Sequence, residues 1–339
     1  MKRLMIVAAA IALLGAVPVF AAITGTVVKN PDETRQVIFN RDGKEIAKQL
    51  EDAEGNVIQT EGTLPEEAAK AYYDGGKVKI EWKFKNSMRE GVTTEYFESG
   101  TVQRQLSYKM NKLDGVASEY FEDGKPKKET TYAQGKPDGI TKEYYNTGAV
   151  WKETNYKNGQ REGRAKEYYE TGALHREMNY RNDQLQGLNK DFYENGKVKA
   201  EWNYKKDKRE GISKIFFPSG ALSAEDSYKD NMLEGVCKEY LETGKLLAEM
   251  TYRKGQANGI SKMYHDNGKL REEGEFKDGK QNGVHREYYF SGTLKIEDHY
   301  REGKREGESK TYDDGGRLKL VETYSNGEVI DVKEIPVTE

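Results

Sequence analysis

The sequence predicts an all-β protein built as a tandem array of β-hairpins, and two observations support this prediction. Ten glycines stand 24 residues apart without insertion or deletion, from Gly91 to Gly307. The segments between them are short and rich in aromatic and β-branched residues, which is typical of strands. Long helices are disfavoured, because each interior glycine costs about 1 kcal/mol relative to alanine. A strict period of this kind indicates one small unit stacked on its neighbours.

Positions within each repeat are numbered here from the recurring glycine, which is position 0. Position 5 and position 17 are aromatic in all ten repeats, and position 9 is always glycine. Positions 1, 5, 11 and 17 are mostly apolar, whereas positions 2, 4, 14 and 16 are mostly small or charged. Alternation of period two predicts that the odd and even positions lie on opposite faces of a sheet.

The first turn of each repeat is predicted to be a three-residue hairpin loop that ends in glycine. Such a loop combines a type I turn with a left-handed residue, which glycine provides without strain. It would place position 5 opposite position 11 and position 3 opposite position 13, so that Tyr168 faces Leu174 and Tyr144 faces Val150. The register of the second turn, such as 157–162, stays open. The predicted turn glycines are Gly100, Gly124, Gly148, Gly172, Gly196, Gly220, Gly244, Gly268, Gly292 and Gly316.

The chain divides into four predicted segments. Residues 67–330 hold the repeats, which should give about 20 or more antiparallel strands in an elongated single-layer sheet that twist would coil. Residues 23–66 are predicted to form an N-terminal cap with degenerate repeats. The run 65–73, at the start of the repeats, could instead be a short helix. Residues 331–339 form a C-terminal tail, and residues 1–22 precede the cap.

Residues 1–22 are predicted to be a secretory signal peptide. Lys2 and Arg3 precede an apolar stretch, and small residues around Ala21 suit a cleavage site. An uncleaved membrane anchor is the alternative, because the apolar run is almost long enough to span a bilayer. No cysteine follows the run, so a lipoprotein is not expected. The predicted location is therefore periplasmic or secreted, with no transmembrane segment after cleavage.

The composition argues against nucleic-acid binding and against internal disulfides. The formal net charge is −3, with 55 basic and 58 acidic residues. Removal of Lys2 and Arg3 with the signal would make it −5, so no attractive field for nucleic acid is expected. Cys237 is the single cysteine. It is interpreted as an inert small residue, and pairing with another chain is the alternative.

No recognisable catalytic, cofactor or metal motif is found in the sequence. A metal site needs several converging ligands, and the four histidines occupy different positions: His175, His265, His285 and His299. The odd–even pattern puts all four on one face, where only His285 and His299 share a repeat. A nucleotide-binding glycine loop is also lacking. The protein is therefore predicted to be neither an enzyme nor a metal- or cofactor-binding protein.

Recurring carboxylates are interpreted as structural ion pairs. Glutamates at positions 4 and 14 recur in most repeats, whereas a glycosidase would need one unusual pair. Basic residues at position 12 should oppose acidic residues at position 4 across the hairpin and form solvated pairs. The expected pairs are Lys127 with Glu119, Lys199 with Asp191, and Lys295 with Glu287.

Position 6 carries a row of aromatic residues beside the charged positions. An exposed row of this kind would be a long apolar patch, which often marks a binding surface. Burial of the rings as a second small core is the alternative. The predicted binding strip consists of Phe97, Phe121, Tyr145, Tyr169, Tyr193 and Phe217.

The repeat resembles the bacterial variant of the MORN repeat. Residues 139–162, GITKEYYNTGAVWKETNYKNGQRE, show the pattern clearly, and matches extend over about 67–330. The resemblance implies a β-hairpin array without catalytic residues. Many similar proteins carry the label of a YwqK-type antitoxin from toxin–antitoxin systems, and eukaryotic MORN arrays are linked to membranes and scaffolding.

The sequence as a whole predicts a non-catalytic exported repeat protein that binds another envelope or secreted protein. Its open sheet offers both faces and unpaired strand edges for this purpose. A carbohydrate- or cell-wall-binding module is one alternative, because aromatic rings beside carboxylates can stack on sugars. An antitoxin or immunity protein that neutralises a toxin is the other.

Overall fold

The described residues form two compact units in the computed structural model, one within residues 1–124 and the other within residues 125–339. The structure describes residues 22–64, 66 and 68–336, so nearly all of the predicted signal peptide lies outside the described residues. Every regular element described is a β-strand, which confirms the predicted all-β array of hairpins. No described segment forms a helix with the length and hydropathy needed to span a bilayer.

The first unit contains eleven strands. β1 to β4 form an antiparallel meander, and β1 also pairs in parallel with β5. From β5 the sheet continues antiparallel through β6, β9, β10 and β11, while β7 and β8 form a short separate ladder. The strands are β1 Ile23–Lys29, β2 Arg35–Arg41, β3 Lys44–Glu51, β4 Val57–Gly62, β5 Ala69–Tyr72, β6 Val78–Trp82, β7 Phe84–Lys85, β8 Met88–Arg89, β9 Gly91–Tyr96, β10 Val102–Lys109 and β11 Lys112–Tyr120.

An apolar core in the first unit lies between the N-terminal meander and the first hairpins. Phe39 of β2 is fully buried and meets Trp82 and Phe84 edge-on, with ring centroids 5.3 Å apart in both pairs. Gly25 of β1 lies so close to the Trp82 ring that a Cβ would not fit. The meander therefore covers one face of the first repeats.

The predicted N-terminal segment thus forms β1–β4. The alternative of a short helix over 65–73 is wrong, because Ala69–Tyr72 forms strand β5 and pairs with both β1 and β6. Its alanines at positions 2 and 4 are buried against the core, which small strand residues allow.

The second unit is a succession of antiparallel hairpins in which each long strand pairs with the long strands before and after it in sequence. Two-residue strands such as β17 precede an interruption, after which the next strand resumes pairing with the same partner. The strands are β12 Pro126–Ala133, β13 Lys136–Tyr144, β14 Val150–Lys157, β15 Gln160–Tyr168, β16 Leu174–Arg181, β17 Gln184–Leu185, β18 Gly187–Phe192, β19 Val198–Lys205, β20 Lys208–Arg209, β21 Gly211–Phe216, β22 Leu222–Lys229, β23 Met232–Leu233, β24 Gly235–Tyr240, β25 Leu246–Arg253, β26 Gln256–Tyr264, β27 Leu270–Lys277, β28 Lys280–Tyr288, β29 Leu294–Arg301, β30 Lys304–Arg305, β31 Gly307–Tyr312, β32 Leu318–Ser325 and β33 Glu328–Glu334.

The first turn of the repeat has the predicted geometry. Tyr168 lies opposite Leu174, and Tyr144 lies opposite Val150. The amide of Gly172 donates to the carbonyl of Tyr169 at 2.8 Å, and Gly172 has a φ of +85°. This is a type I turn followed by a left-handed glycine, and all ten predicted turn glycines have positive φ.

The register beyond this turn differs from the prediction. Position 3 opposes position 14 rather than 13, as Lys166 opposes Glu177, and position 4 opposes position 13. The cause is a β-bulge at position 12, where the second strand carries one extra residue. The bulge exchanges odd and even positions between the two faces, so the predicted odd and even faces are wrong. Positions 1, 3, 5, 14 and 16 share one face, termed the position-1 face, and positions 2, 4, 13, 15 and 17 share the other, the position-2 face.

The second turn, whose register the sequence left open, is a two-residue type I′ turn. Lys157 pairs directly with Gln160, and the residues between them, Asn158 and Gly159, have φ of 50° and 87°. Positive φ at both central residues suits the twist of a hairpin. The predicted C-terminal tail continues the array, because β33 pairs with β32 as far as Glu334.

Candidate binding faces of the repeats

The position-1 face presents a row of exposed aliphatic side chains. Position 1 was expected on the same apolar face as positions 5, 11 and 17. In the structure it lies on the opposite face from position 17 and from the buried position 2. These aliphatic residues are 38–56% exposed; Val92 and Val116 belong to the first unit, and the aliphatic row of the second unit consists of Ile140, Leu188, Ile212, Val236 and Ile260. This aliphatic row is broken at Arg164.

Position 16 side chains tie the aliphatic row to the preceding repeat. Asn155 donates its Nδ2 hydrogen to the carbonyl of Arg164 at 2.6 Å, and Asn203 does the same for Ile212 at 2.6 Å. Asn179 bonds to Leu188 in the same way. The backbone beneath the row is therefore fixed, while the position 1 side chains stay free to contact a partner.

Tyrosine and glutamate side chains form a ladder on the same face. The hydroxyl of Tyr168 donates to Glu153 Oε2 at 3.0 Å, and Lys142 Nζ lies 3.6 Å from Glu153 Oε1 across the hairpin. Burial of the phenol, together with this hydrogen bond and the glutamate charge, raises the pKa of Tyr168 to about 12. The position 14 glutamates thus link neighbouring repeats. This structural role accounts for their recurrence, so no catalytic role is needed to explain it.

The predicted pairs between positions 12 and 4 are not set by the register, which places position 13 opposite position 4. Asp191 lies opposite Ala200 and its carboxylate binds Arg176 Nε at 3.0 Å, while Lys199 stands over the ring of Tyr193. Lys295 Nζ still reaches Glu287 at 3.4 Å. The bulge is the reason, because it directs position 12 toward position 6.

The predicted aromatic strip at position 6 lies beside the first turn, and all six rings are half-buried. The hydroxyls of its three tyrosines each donate to a position 5 carbonyl of the next repeat: Tyr145 to Tyr168, Tyr169 to Phe192 and Tyr193 to Phe216, at 2.7–2.8 Å. The strip therefore has a structural role between repeats. Its ring faces stay partly accessible, and Trp151 at position 12, 42% exposed, lies 6.3 Å from Tyr145.

Position 23 carries a contact that the sequence interpretation missed. Glu162 Oε2 accepts the backbone amide of Asn182, the first residue of the next type I′ turn, at 2.8 Å. Glu210 and Glu234 make the same contact with Asp230 and Lys254. The signal was present as an acidic or amide residue just before each position 0 glycine, glutamate in five of the ten repeats. The glutamate acts as a turn cap rather than a catalytic group.

On the position-2 face, small residues lie beneath larger ones. Position 2 is buried in every repeat, with Ala165 and Ser213 at 1% exposure. Position 15 covers it in the middle repeats with half-buried Met178, Trp202 and Met250. Position 22 arginines stack on the aromatic rings of this face.

A cavity of about 220 Å³ opens on the position-2 face around Trp202. The indole Nε1 donates to Asp191 Oδ2 at 3.1 Å, and the guanidinium of Arg209 lies 4.1 Å from the Trp202 ring centroid. Asn189 beneath them is 4% exposed, and its Nδ2 makes no hydrogen bond within the described part of the chain. The guanidinium of Arg209 and the Nδ2 of Asn189 thus provide hydrogen-bond donors in one cavity, beside the ring of Trp202.

Arg209 and Trp202 were not recognised as site residues from the sequence. A usable signal exists, because Trp82 and Arg89 stand 120 residues earlier at the same repeat positions. Tryptophan and arginine are otherwise never combined at positions 15 and 22 of one repeat.

The histidines do not gather. His285 at position 2 is buried, and its Nε2 lies 3.0 Å from Glu272 Oε1. His299 lies on the opposite face and contacts the carbonyl of Glu308, so the expected common face of the two histidines is wrong. Again the bulge separates them. Within the described ranges, no group of three or more His, Cys, Asp or Glu side chains is arranged to hold a metal ion.

Cys237 is a buried free thiol at position 2. Burial raises the pKa of this thiol, so that the reactive thiolate is disfavoured at neutral pH. This environment agrees with an inert packing residue.

A family model described as the MORN repeat variant matches ten consecutive segments, and together they cover more than half of the chain. They are residues 68–86, 89–110, 113–134, 137–158, 161–182, 185–206, 209–230, 233–254, 257–278 and 281–302. The chain belongs to the MORN repeat variant family. MORN repeats generally mediate interactions with proteins or membranes, and they are a non-catalytic type of repeat. After the first, the segments of this MORN-variant protein begin at position 22 and run to position 19, so each unites the two strands that flank a position 9 turn glycine.

Functionally curated proteins and solved structures give no information on function beyond the family assignment. No match was found among functionally curated proteins. Among solved structures, "TcdB2-TccC3-TEV" matches at 13% identity and a TM-score of 0.15, covering 87% of this chain and 18% of that one. "TcdB2-TccC3 without hypervariable C-terminal region" matches at 11% identity and a TM-score of 0.16, covering 88% and 22%. The chain thus spans about a fifth of the length of these proteins.

Proposed function

We propose that this MORN-variant protein is a non-catalytic, exported protein that binds another protein of the cell envelope or the secreted space. The observation that carries the proposal is the aliphatic row on the position-1 face. Isolated exposed apolar residues are ordinary, but apolar residues repeated in register form a patch of the kind that marks interaction surfaces.

The spacing of the row suits a polypeptide partner. Successive position 1 side chains belong to every second strand, so they stand about 10 Å apart at 4.8 Å per strand. Position 16 side chains satisfy the carbonyls beneath them, as Asn203 does for Ile212. A partner that covers these apolar side chains therefore buries no unpaired backbone carbonyl beneath them. The free-energy cost of burying this surface is low for that reason.

A pull-down from envelope extract tests this proposal, with residues 23–339 as bait. The test variant carries Ile212→Lys and Ile260→Lys, whose parent side chains are 56% and 54% exposed. The control carries Thr147→Lys and Thr243→Lys, two exposed turn residues. We expect one stoichiometric protein to be captured by wild type and control and lost by the test variant. Capture by all three would exclude the aliphatic row as the surface, and capture of no protein would contradict the function.

Glycan binding along the aromatic strip is a second candidate function. Trp151 and Phe290 are 42% and 59% exposed beside Tyr145 and His265, which supports ring stacking on sugars. The strip tyrosines should be changed to phenylalanine as well as alanine, since the hydroxyls bind the next repeat. Retention on insoluble peptidoglycan by wild type and the phenylalanine variant, with loss in the alanine variant, would establish this function.

An antitoxin role is the narrower form of the protein-binding proposal. It requires a toxin gene beside this gene, and deletion should be lethal only when the toxin gene is present. Survival of the deletion strain with an active toxin would exclude it.

A further inference from the structure

Three side chains of the first unit recur in the second unit with the same stacking. They occupy positions 15 and 22 of one repeat and position 17 of the next, and the two sets stand 120 residues apart. In each set the arginine lies over both rings, at 5.8 and 5.4 Å in the first unit and 4.1 and 5.2 Å in the second. The first-unit trio is Trp82, Arg89 and Tyr108, and the second-unit trio is Trp202, Arg209 and Tyr228.

The first-unit trio is the surface on which the N-terminal meander sits. Arg89 Nε donates to Gln49 Oε1 of β3 at 2.9 Å, and the guanidinium forms an ion pair with Glu51. The hydroxyl of Tyr108 donates to the carbonyl of Gly55 at 2.6 Å. The members of this trio are only 1–3% exposed. The trio thus holds strand β3 and the turn after it through the carboxylate of Glu51, the side-chain amide of Gln49 and the main-chain carbonyl of Gly55.

The second-unit trio is half-buried and lacks such a cover within the described chain. Among the residues that the structure describes, no carboxylate forms an ion pair with Arg209, the arginine of this trio. The other position 22 arginines of this unit have one, since Arg161 Nε lies 3.2 Å from Asp183 and Arg305 lies 3.0 Å from Asp298. Within the described chain, Arg209 donates to uncharged oxygens: its backbone amide to Asn231, and its side chain to the hydroxyls of Tyr228 and Tyr204. A stacked guanidinium without a counter-ion has N–H donors available for a carboxylate, which accepts them.

We propose that the second-unit trio is a docking site for an acidic segment of another protein, a strand followed by a turn like the segment that covers the first-unit trio. A Glu or Asp carboxylate of that segment pairs with Arg209, and a main-chain carbonyl accepts the hydroxyl proton of Tyr228. The buried Nδ2 of Asn189 in the same cavity supplies a further donor for the segment. This inference rests on the proposed protein-binding function and gives it a site on the position-2 face.

The segment that the first-unit trio holds provides the probe. A synthetic peptide of residues 44–55, KEIAKQLEDAEG, contains Gln49, Glu51 and Gly55. Its binding to the full mature chain is followed through the three tryptophan indole resonances, assigned with Trp→Phe variants. We expect the Trp202 resonance to shift on titration. Arg209→Gln should weaken binding about tenfold or more, which is the usual effect of removing a charged hydrogen-bond partner.

Controls separate recognition from general charge. Arg161→Gln removes an equal charge at the same repeat position and should leave peptide affinity unchanged. The peptide with Glu51→Gln should bind wild type about tenfold more weakly, but it should lose little further affinity for Arg209→Gln if the two groups pair. Circular dichroism and the unshifted Trp82 resonance report that the variants stay folded.

Several outcomes would overturn the inference. The Trp202 resonance could stay fixed at millimolar peptide, or both arginine variants could weaken binding equally. An Arg209-dependent dimer without peptide, seen by sedimentation, would make a second copy the occupant. Equal capture of an envelope partner by wild type and Arg209→Gln would reject this site while leaving the proposed function intact.

Discussion

At the residue scale, the position 0 glycines show why one residue type recurs ten times. All ten have positive φ, between 77° and 131°. L-residues rarely adopt this conformation, because Cβ approaches the backbone. Some of the glycines also lack space: a Cβ on Gly139 would lie 2.9 Å from Cβ of Thr131, whereas Gly163 has open surroundings. The positive φ therefore requires glycine at position 0 in all ten repeats, and close packing adds a second reason for glycine in certain repeats.

This difference makes a matched pair of substitutions informative. Gly163→Ala should cost about 1–2 kcal/mol through backbone strain alone. Gly139→Ala should cost more, since its φ is 131° and Thr131 must also move. The free energy of unfolding in urea measures both. Equal losses would show that the space around Gly139 adjusts freely.

At the element scale, the sequence allowed the first hairpin turn to be predicted but not the pairing beyond it. Glycine at position 9 selects the loop, and the register at Tyr168 and Leu174 follows from it. The bulge at position 12 has no fixed residue, since Trp151, His175 and Lys199 all occupy it. Because the prediction did not include the bulge, the odd–even alternation placed the positions after position 12 on the wrong face of the sheet. The aliphatic row and the second-unit trio were missed for the same reason, because their faces depend on the bulge.

The tyrosine–glutamate ladder links elements and predicts a dependence on alkaline pH. Ionised Tyr168 would face Glu153, and its raised pKa of about 12 means that folding favours the neutral phenol. The stabilisation is complete below the unfolded pKa of about 10 and is lost as pH rises toward 12. The free energy of unfolding of wild type should fall across this window more steeply than that of Tyr168→Phe. Parallel curves for the two proteins would contradict the assignment.

At the scale of the whole molecule, the two units are stabilised differently. Most large side chains that are less than 2% exposed belong to the first unit, including Phe39, Trp82 and Leu113, while the second unit contributes Ser213 and Asp298. The first unit has a packed core, whereas the second depends on hydrogen bonds and partly buried rings between neighbouring repeats. Stability in such arrays is largely a sum of nearest-neighbour contacts.

Core truncation should therefore have a local effect. Phe39→Ala removes both edge-on ring contacts and should cost about 3–5 kcal/mol within the first unit. Hydrogen exchange resolved by peptide should accelerate across 22–124, with little change in repeats beyond 160. Uniform acceleration along the chain would show that the molecule unfolds as one cooperative body.

The bond from each position 23 glutamate to the turn of the following repeat affects how the gene can change in length. Because these contacts join one repeat to the next, as Glu162 does for Asn182, duplication or loss of 24 consecutive residues within the repeats re-creates the same kind of junction wherever the break falls. Unequal recombination can then lengthen or shorten the array without further adjustment. A single-codon insertion within a strand would reverse the two faces downstream until the next turn or bulge restored the phase.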